Sequence, residues 1–371
     1  MRLALRELRR RPGRFVTATV ILTLISLLLL FLGGLLDGLI SRSTGALRAQ
    51  TGDLVVYSST SEDSFVRSRI DPELAAEVAA VPGVGEVGGI GVAQLGARVP
   101  GNGPRDLADV AVFGYQLPPR DLPEPPADGE AIADDVLRAS GVEEGMTLEV
   151  GPARTPVTVV GFTTDTSYNA QGSLWASPAT WRQVQNANRP DARVDDGVFQ
   201  ALVVRAADGT SPADLAAAID EATAGATSTL TIDGAIAALP GVSDQQAVFN
   251  QILGVTFVIA VVVVALFFAL ITVERTSLYG VLKAIGARSS TLFGGLVTQA
   301  LVVTGVASAI GVTLGLVLDV TIPAGALPFD LTPARILLSV SLLIVAAVVG
   351  CAFSLRRVLR VDPAAAIGGA T

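Results

Sequence analysis

Histidine is absent from this 371-residue sequence, and cysteine and lysine occur once each, as Cys351 and Lys283; the other 25 basic residues are arginines. Without histidine and with a lone cysteine, the usual zinc ligand sets cannot be assembled. No Ser-His-Asp or Cys-His constellation is available for nucleophilic catalysis, and no disulfide can close within the chain. The single lysine follows Leu282 and precedes Ala284, so there is no G-x-x-x-x-G-K-[ST] phosphate loop and no Walker-type ATP site in this chain. Adjacent acids do occur, at Asp134/Asp135, Glu143/Glu144 and Asp195/Asp196, and are read as surface solvation rather than acid–base pairs. No catalytic residue and no metal site is expected.

Charge is missing altogether from four long stretches: Phe15 to Leu36, Gln245 to Val273, Ser289 to Leu318 and Ile336 to Leu355. A helix needs about 20 apolar residues to cross a bilayer. With a mean hydropathy of +0.57, these runs are read as membrane spans. Core helices of a soluble enzyme rarely stay apolar on every side for so long. The first run exceeds the ~7–15-residue apolar core of a signal peptide, and no small-x-small cleavage site follows it, so a retained span is expected.

What charge there is lies unevenly. "MRLALRELRRRPGR" carries six arginines and one acid, the segment between the second and third runs is basic, and Arg356, Arg357 and Arg360 follow the fourth run. Residues 41–247 hold 13 arginines against 28 acids, a net of −15. Basic flanks stay in the cytoplasm, so both termini are placed inside and the acidic block outside a bacterial cytoplasmic membrane.

The resulting fold class is a multi-pass membrane protein. It has four transmembrane α-helices and one large α+β extracytoplasmic domain between helices 1 and 2. Its parts are a cytoplasmic amphipathic helix over 1–14, spans at 15–40, 245–273, 291–318 and 336–355, and the external domain over 41–244. A cytoplasmic coupling loop over 274–290, an external loop over 319–335 and a cytoplasmic tail over 356–371 complete it.

Within the external domain, "DLVVYS", Val87–Val99, Asp109–Tyr115, "MTLEV", "TPVTVVGFT" and "VFQALVVRA" read as strands. "DPELAAEVAAV", "EAIADDVLRAS", Pro178–Asn186 and "SPADLAAAIDEAT" read as helices. A small β-rich subdomain is expected near 140–175. "SSTSEDS" and the Pro-rich 116–130 are expected to be solvated loops.

The most informative segment is "ERTSLYGVLKAIGAR", Glu274 to Arg288. Leu278, Val281, Leu282 and Ile285 fall on one helical stripe, Arg275, Tyr279 and Lys283 on another face, and Gly286 suits a helix C-cap. By pattern alone this could be a plain interfacial helix joining two spans. However, "LYGVLKAIGARSSTL" resembles the coupling segment of permease subunits of the MacB/FtsX type of ABC transporter. "LALRELRRRPGRF" resembles that family's N-terminal amphipathic helix, and "LRRVLRVDPAAAIGG" its C-terminal ending. The order of one span, a large external domain and three spans matches as well. The form of the coupling phrase and the length look closest to the DevC/HrtB-like branch, named after heterocyst-glycolipid and haem exporters. One departure is Tyr279, where many members carry an acid before the glycine.

The resemblance implies a non-catalytic subunit of a type VII exporter. It implies a homodimer of permeases with two copies of a separate ABC ATPase, which binds the ATP; no intrinsic cofactor and no nucleic acid enter. Arg275, Leu278, Tyr279, Gly280, Leu282, Lys283, Ile285 and Gly286 would meet the ATPase. The cargo would be hydrophobic or amphiphilic. Haem is one candidate, beside lipids, lipoproteins, peptides and drugs, with Tyr57, Tyr115, Tyr168, Met146 and Cys351 as the residue types able to ligate it. Candidate substrate contacts are Asp37, Asn250 and Tyr168. Gly305, Gly311 and Gly315 suit either sliding or static close packing in span three. The alternative is an FtsX-like mechanotransmission scaffold that moves nothing and controls an external cell-wall enzyme.

Overall fold

The computed structural model describes residues 12–103, 105–274, 289–322 and 327–359. Four helices in it are long and apolar enough to cross a membrane: α1 (Pro12–Arg48), α6 (Val242–Glu274), α7 (Ser289–Thr321) and α8 (Pro333–Leu359). The chain divides into two compact units, one built from these helices and the other from Leu39–Gln245 with a few residues that precede α8. The segments 1–11, 275–288 and 360–371 lie outside the described residues, and with them most of the predicted N-terminal amphipathic helix, the coupling loop and most of the tail.

The helical unit is held by a core to which every helix contributes, including Leu22 and Leu29 of α1, Val264 and Phe268 of α6, Ala300 and Ala307 of α7, and Leu343 and Ala347 of α8. Small residues let backbones approach. A Cβ on Gly350 would lie 2.9 Å from the Val261 carbonyl, and one on Gly311 would lie 2.6 Å from Ser26 Oγ. Gly305 faces open space, whereas a Cβ on Gly315 would meet Leu331 Cδ2 at 3.3 Å, so the glycine run in α7 is a packing seam at Gly311 and Gly315.

The second unit carries nine strands: β1 (Leu54–Ser58), β2 (Val84–Arg98), β3 (Leu107–Tyr115), β4 (Glu130–Asp134), β5 (Thr147–Val150), β6 (Thr155–Thr163), β7 (Gly172–Ala176), β8 (Ala201–Ala206) and β9 (Thr227–Thr231). Four short helices accompany them: α2 (Pro72–Ala79), α3 (Pro178–Asn188), α4 (Pro212–Ala222) and α5 (Ile232–Ala238). Serine, threonine and aspartate start three of these helices as expected. Asp71, Ser177 and Thr231 each accept a backbone N–H of the first turn.

Strand β2 is the spine. One edge pairs with β3 along residues 90–98; the other pairs with β8 over Val84–Ile90 and with β5 at Ala97 and Arg98. The pairings β2–β3–β7–β4–β6–β5 return to β2 and close a ring, while β8, β1 and β9 extend from its first half. The strands of the expected β-rich subdomain, β5 to β7, are therefore part of a ring that also needs β2, β3 and β4. The ring is filled by Val110, Val112, Ala131, Ala133, Leu148, Val157, Val159 and Leu174. Trp181 of α3 covers Gly91 and Gly114, where any Cβ would collide with the indole.

One helix expected from sequence is a strand instead. "EAIAD" is β4, pairing with β6 on one side and β7 on the other, and only Asp135–Ser140 turns, as a 3-10 helix. Ala131 and Ala133 alternate into the ring core. This two-residue period is that of a strand, and two hydrogen-bonded neighbours override the helical preference of alanine. Strands β7 and β9 are not evident from the sequence; β7 is buried on both faces and shows no alternation.

Candidate functional site

Helix α1 does not stop where its apolar run stops. It continues twelve residues past Leu36 to Arg48, about 18 Å at 1.5 Å per residue, and its last turns are built into the second unit. Ala46 donates its N–H to the Ser167 carbonyl (3.0 Å), and the Asn169 and Ala170 N–H groups donate back to the carbonyls of Ser43 (3.0 Å) and Arg42 (3.2 Å). Gly45 makes this possible: a Cβ there would lie 2.8–2.9 Å from the Asp165 carbonyl and the Ser167 backbone. We refer to this as the clasp. Its loop, 164–170, holds Asp165, Asn169 and Ala170 at positive φ, a costly conformation for residues with a side chain that persists only where surroundings enforce it.

The enforcing group is Asp134. Its buried carboxylate accepts from Thr166 N–H (3.1 Å), Thr166 Oγ1 (3.1 Å), Ser167 Oγ (2.9 Å) and Val136 N–H (3.1 Å). The sequence reading placed Asp134 with its neighbour as surface solvation; the structure makes it the anchor of the clasp. Only Asp135 stays near solvent, its carboxyl pushed up by partial burial and by its contact with Asp134. The outer pair of the clasp, Arg48 with Asp165 at 2.6 Å, is solvent-exposed and adds less than about 1 kcal/mol. A polar cleft of about 250 Å³, lined by Arg48, Arg120, Asp121 and Asp165 among others, opens beside it with its charges in balance.

The root of α6 reaches the same core. After β9, α5 ends at Ala238 with Leu239 as its C-cap, and Pro240 and Gly241 turn the chain into α6. Ala235, Leu239 and Val242 pack in one cluster with Ala46 and Leu47 of α1, Tyr57 of β1, Phe113 and Tyr115 of β3 and Trp175 of β7. Aromatic rings bind the cluster: Phe113 stacks on Trp175 (4.5 Å between centroids), and Tyr168 meets Phe113 (5.4 Å) and Phe65 (6.0 Å) edge-on, geometries favoured by the ring quadrupole. Tyr168, a predicted substrate contact, is 7% exposed and serves as a core residue here. Burial raises the Tyr57 and Tyr168 phenols above their ordinary range and Tyr115 to about 12. The three tyrosines are thus core groups rather than presented ligands.

Tyr57 Oη, Trp175 Nε1 and Gln171 Oε1 are buried without a hydrogen-bond partner. An unpaired buried hydroxyl opposes folding, so Tyr57→Phe should stabilise the domain by about 1 kcal/mol, a rise of a few degrees in Tm. Calorimetry of the full chain checks it; a lower Tm would mean that the hydroxyl is partnered.

In the helical unit, Asp37 of α1 is engaged by the base of α8. Arg335 Nε donates to Asp37 Oδ2 (2.9 Å), Arg335 Nη2 donates to Oδ1, and Thr332 Oγ1 donates to Oδ2 (3.3 Å). Gly33 leaves room for the arginine stem and Gly34 for Phe329, which stacks on Phe31. Asp37 was predicted to contact substrate; here its carboxylate is occupied by a bidentate partner. Asn250 is exposed near the start of α6, a helix whose Val255, Val258, Leu266 and Leu270 are also exposed. Asp37 and Asn250 belong to the helical unit and Tyr168 to the second unit. The predicted coupling residues Arg275, Leu278, Tyr279, Gly280, Leu282, Lys283, Ile285 and Gly286 lie outside the described residues.

Residues 250–363, which cover α7 and α8, most of α6 and the segment between α6 and α7, match the family model described as the FtsX-like permease C-terminal domain. This chain carries an FtsX-like permease C-terminal domain. The permease is 21% identical over 370 residues to a protein of Staphylococcus epidermidis strain ATCC 35984 named as HrtB, the permease of a hemin transport system; the alignment covers 100% of this chain and 99% of the relative. It is 31% identical over 125 residues to the protein of the same name from Staphylococcus haemolyticus, but that alignment spans only 34% of this chain and 35% of the relative. Among solved structures, the periplasmic region of MacB from Actinobacillus actinomycetemcomitans is similar at a TM-score of 0.34 and 10% identity, over 50% of this chain and 91% of that one. A permease of this kind belongs to a transporter system that includes an ATPase.

The permease is a membrane protein with its α/β domain between the first and second spans. Neither the clasp nor the role of Arg335 is evident from the sequence. The usable signals were small ones: Gly45 in an otherwise ordinary helix, and a lone arginine at the head of an apolar run.

Proposed function

We propose that the permease couples ATP hydrolysis by a separate ATPase to the outward movement of a hydrophobic or amphiphilic substrate. It would act as a homodimer with two ATPase copies in a bacterial cytoplasmic membrane, with both termini and residues 274–290 on the cytoplasmic side. The observation that carries this reading is the shared core at the helix roots. Ala46 and Leu47 of α1 and Leu239 and Val242 at the head of α6 sit in one buried cluster, and no flexible linker separates α1 from the clasp. A push applied at the cytoplasmic end of α6 would reach the sheet through packed side chains, which behave as a rigid medium.

The tilt toward an amphiphile rests on the apolar spans and on Asp37 being neutralised by Arg335, which leaves the interior of the described spans without a free charge to mark an ion path; Asp319 lies at the very end of α7. Haem stays a candidate cargo because the full-length relatives carry a hemin transport name. With Tyr57, Tyr115 and Tyr168 buried in the core, a haem would be held by its apolar faces rather than by these phenols.

The test replaces Tyr279 and Lys283 with alanine in the full chain, reconstituted in nanodiscs with its ATPase. The double variant should insert normally and lose cargo-stimulated ATP hydrolysis by about tenfold, within the usual range of coupling energies. Wild-type stimulation in the variant would remove the coupling role from this loop. Failure of haem, lipids and peptides alike to stimulate the wild type, together with capture of a cell-wall hydrolase, would favour the scaffold instead.

A further inference from the structure

Strand β2 changes partner partway along one edge, and between the two partners lies an unpaired interval. On this edge β8 ends at Ile90, whose carbonyl accepts the Gln200 N–H (3.2 Å), and β5 begins at Ala97. A strand residue turns its N–H and C=O to the same side, and successive residues alternate. The residues facing this edge are therefore Ile90, Val92, Gln94 and Gly96. Beyond Ile90, two of the groups on Val92, Gln94 and Gly96 are taken: Val92 N–H by the Gln200 side-chain carbonyl (2.6 Å) and the Gly96 carbonyl by Gly151 N–H (2.8 Å). That leaves the Val92 carbonyl, both backbone groups of Gln94 and the Gly96 N–H pointing outward, over about 13 Å of strand.

A notch of about 50 Å³ runs along this interval, with Val92–Leu95 as one wall and Gln185, Arg189 and Gln200 among the others. Gln94, Leu95 and Gly96 are partly exposed and Arg189 is exposed. The opposite wall is fixed: Gln185 Nε2 donates to the Ala192 carbonyl (3.0 Å) and Asn186 pins Val194 through its side-chain amide.

We propose that this interval docks an extended peptide segment of a partner protein, which adds as a short strand beside β2 with a carboxylate against Arg189. The alternating acceptors and donors, at strand spacing, are the complement of another backbone rather than of a sugar or a lipid headgroup. An unpaired strand edge is a template for this kind of addition. The notch is too shallow to swallow a bulky group, since its volume holds only a few water molecules; a backbone lying along it needs no more. Arg189 is the one charged side chain among the described residues lining the notch, which selects an acidic side chain or a chain terminus. The inference stands on the second unit alone and is independent of the proposed transport activity.

The experiment uses the full chain in phosphatidylcholine–phosphatidylglycerol nanodiscs. A displayed library of seven-residue peptides is selected against it, and the selected peptides are resynthesised for fluorescence-polarisation binding and hydrogen exchange. Selected peptides should carry an acid, slow exchange at the amides of Gln94 and Gly96, and bind Gln94→Pro at least about tenfold more weakly, a loss typical of removed backbone hydrogen bonds. Gln94→Ala, which keeps the N–H, should bind as the wild type does, whereas Arg189→Gln should bind more weakly. As Gln94→Pro could distort β2, the same peptides N-methylated at alternate amides are tested on the unaltered protein, and one of the two methylation phases should abolish binding. An empty selection, tight binding by both methylated phases, or unchanged exchange at Gln94 and Gly96 would each overturn the proposal.

Discussion

Gly45→Val will unfasten the C-terminal end of α1 from the sheet. The atom added at this position meets the Asp165 carbonyl at 2.8 Å and the Ser167 N and O at 2.9 Å, and none of these can rotate away because all are backbone. Relief requires the 164–170 loop to move, which breaks the three backbone bonds between α1 and that loop and withdraws Thr166 and Ser167 from Asp134. Overpacking against a rigid neighbour costs about 3 kcal/mol at the upper end of its usual range. For a domain of this size the melting temperature should fall by roughly 6–12 °C, with faster amide exchange in 164–170 read by mass spectrometry. Gly305→Ala, where nothing lies within 4 Å, is the control and should leave the melting temperature of the domain unchanged. If the proposed coupling route through the helix roots is right, Gly45→Val will also keep basal ATP hydrolysis in the complex while losing its response to cargo. A Gly45→Val protein with wild-type exchange at Ser167 and Asn169 would show that the clasp is not closed in solution.

The second large effect lies in the helical unit. Asp37 and Arg335 are 20% and 13% exposed in their side chains, so the pair is shielded from water on most sides. Removing one partner leaves an uncompensated charge in a medium that solvates it poorly, and such single losses cost about 3–5 kcal/mol. Asp37→Ala and Arg335→Ala should each destabilise the bundle by that amount. The double change to leucine should be far milder than either single change, because it removes both charges and refills the volume. The sole cysteine supplies the readout. Cys351 is buried in the bundle core, so a thiol-reactive fluorophore labels it only when the helices separate, and the midpoint of labelling on heating reports the bundle alone. Equal midpoints for the wild type and both single variants would sink this account of the pair.

The two effects mark different kinds of attachment. The clasp is made of backbone groups and tolerates no added atom. The Asp37–Arg335 pair is made of side chains and tolerates replacement if both partners change together. A third attachment, the aromatic cluster at the helix roots, rests on ring contacts around Phe113 and Trp175 and carries unpaired polar atoms within it, which is why a conservative Tyr57→Phe change is expected to strengthen it.

Much of the architecture is legible in the sequence. The four spans could be read from charge-free runs because a helix satisfies its own backbone within four residues, so local composition decides it. The order of spans and external domain, and the FtsX-like character of the C-terminal part, followed from those runs and from motifs that are contiguous in sequence. The long strands β2, β3 and β6 were readable for the same reason, since each is long enough to show its period. Tertiary structure alone decided the rest. The closed ring of β2 to β7 depends on pairings between strands far apart in the chain, and β4 became a strand only because β6 and β7 flank it. Asp134 is an anchor because a loop some thirty residues later folds over it, and Asp37 is neutral in effect because Arg335, 298 positions away, is brought to it. Gly45 was one more small residue until the Asp165–Ser167 backbone settled on its surface. Periodicity and composition report what a segment needs from its surroundings, but which surroundings it receives is set by chain closure over long distances, and no local pattern encodes that.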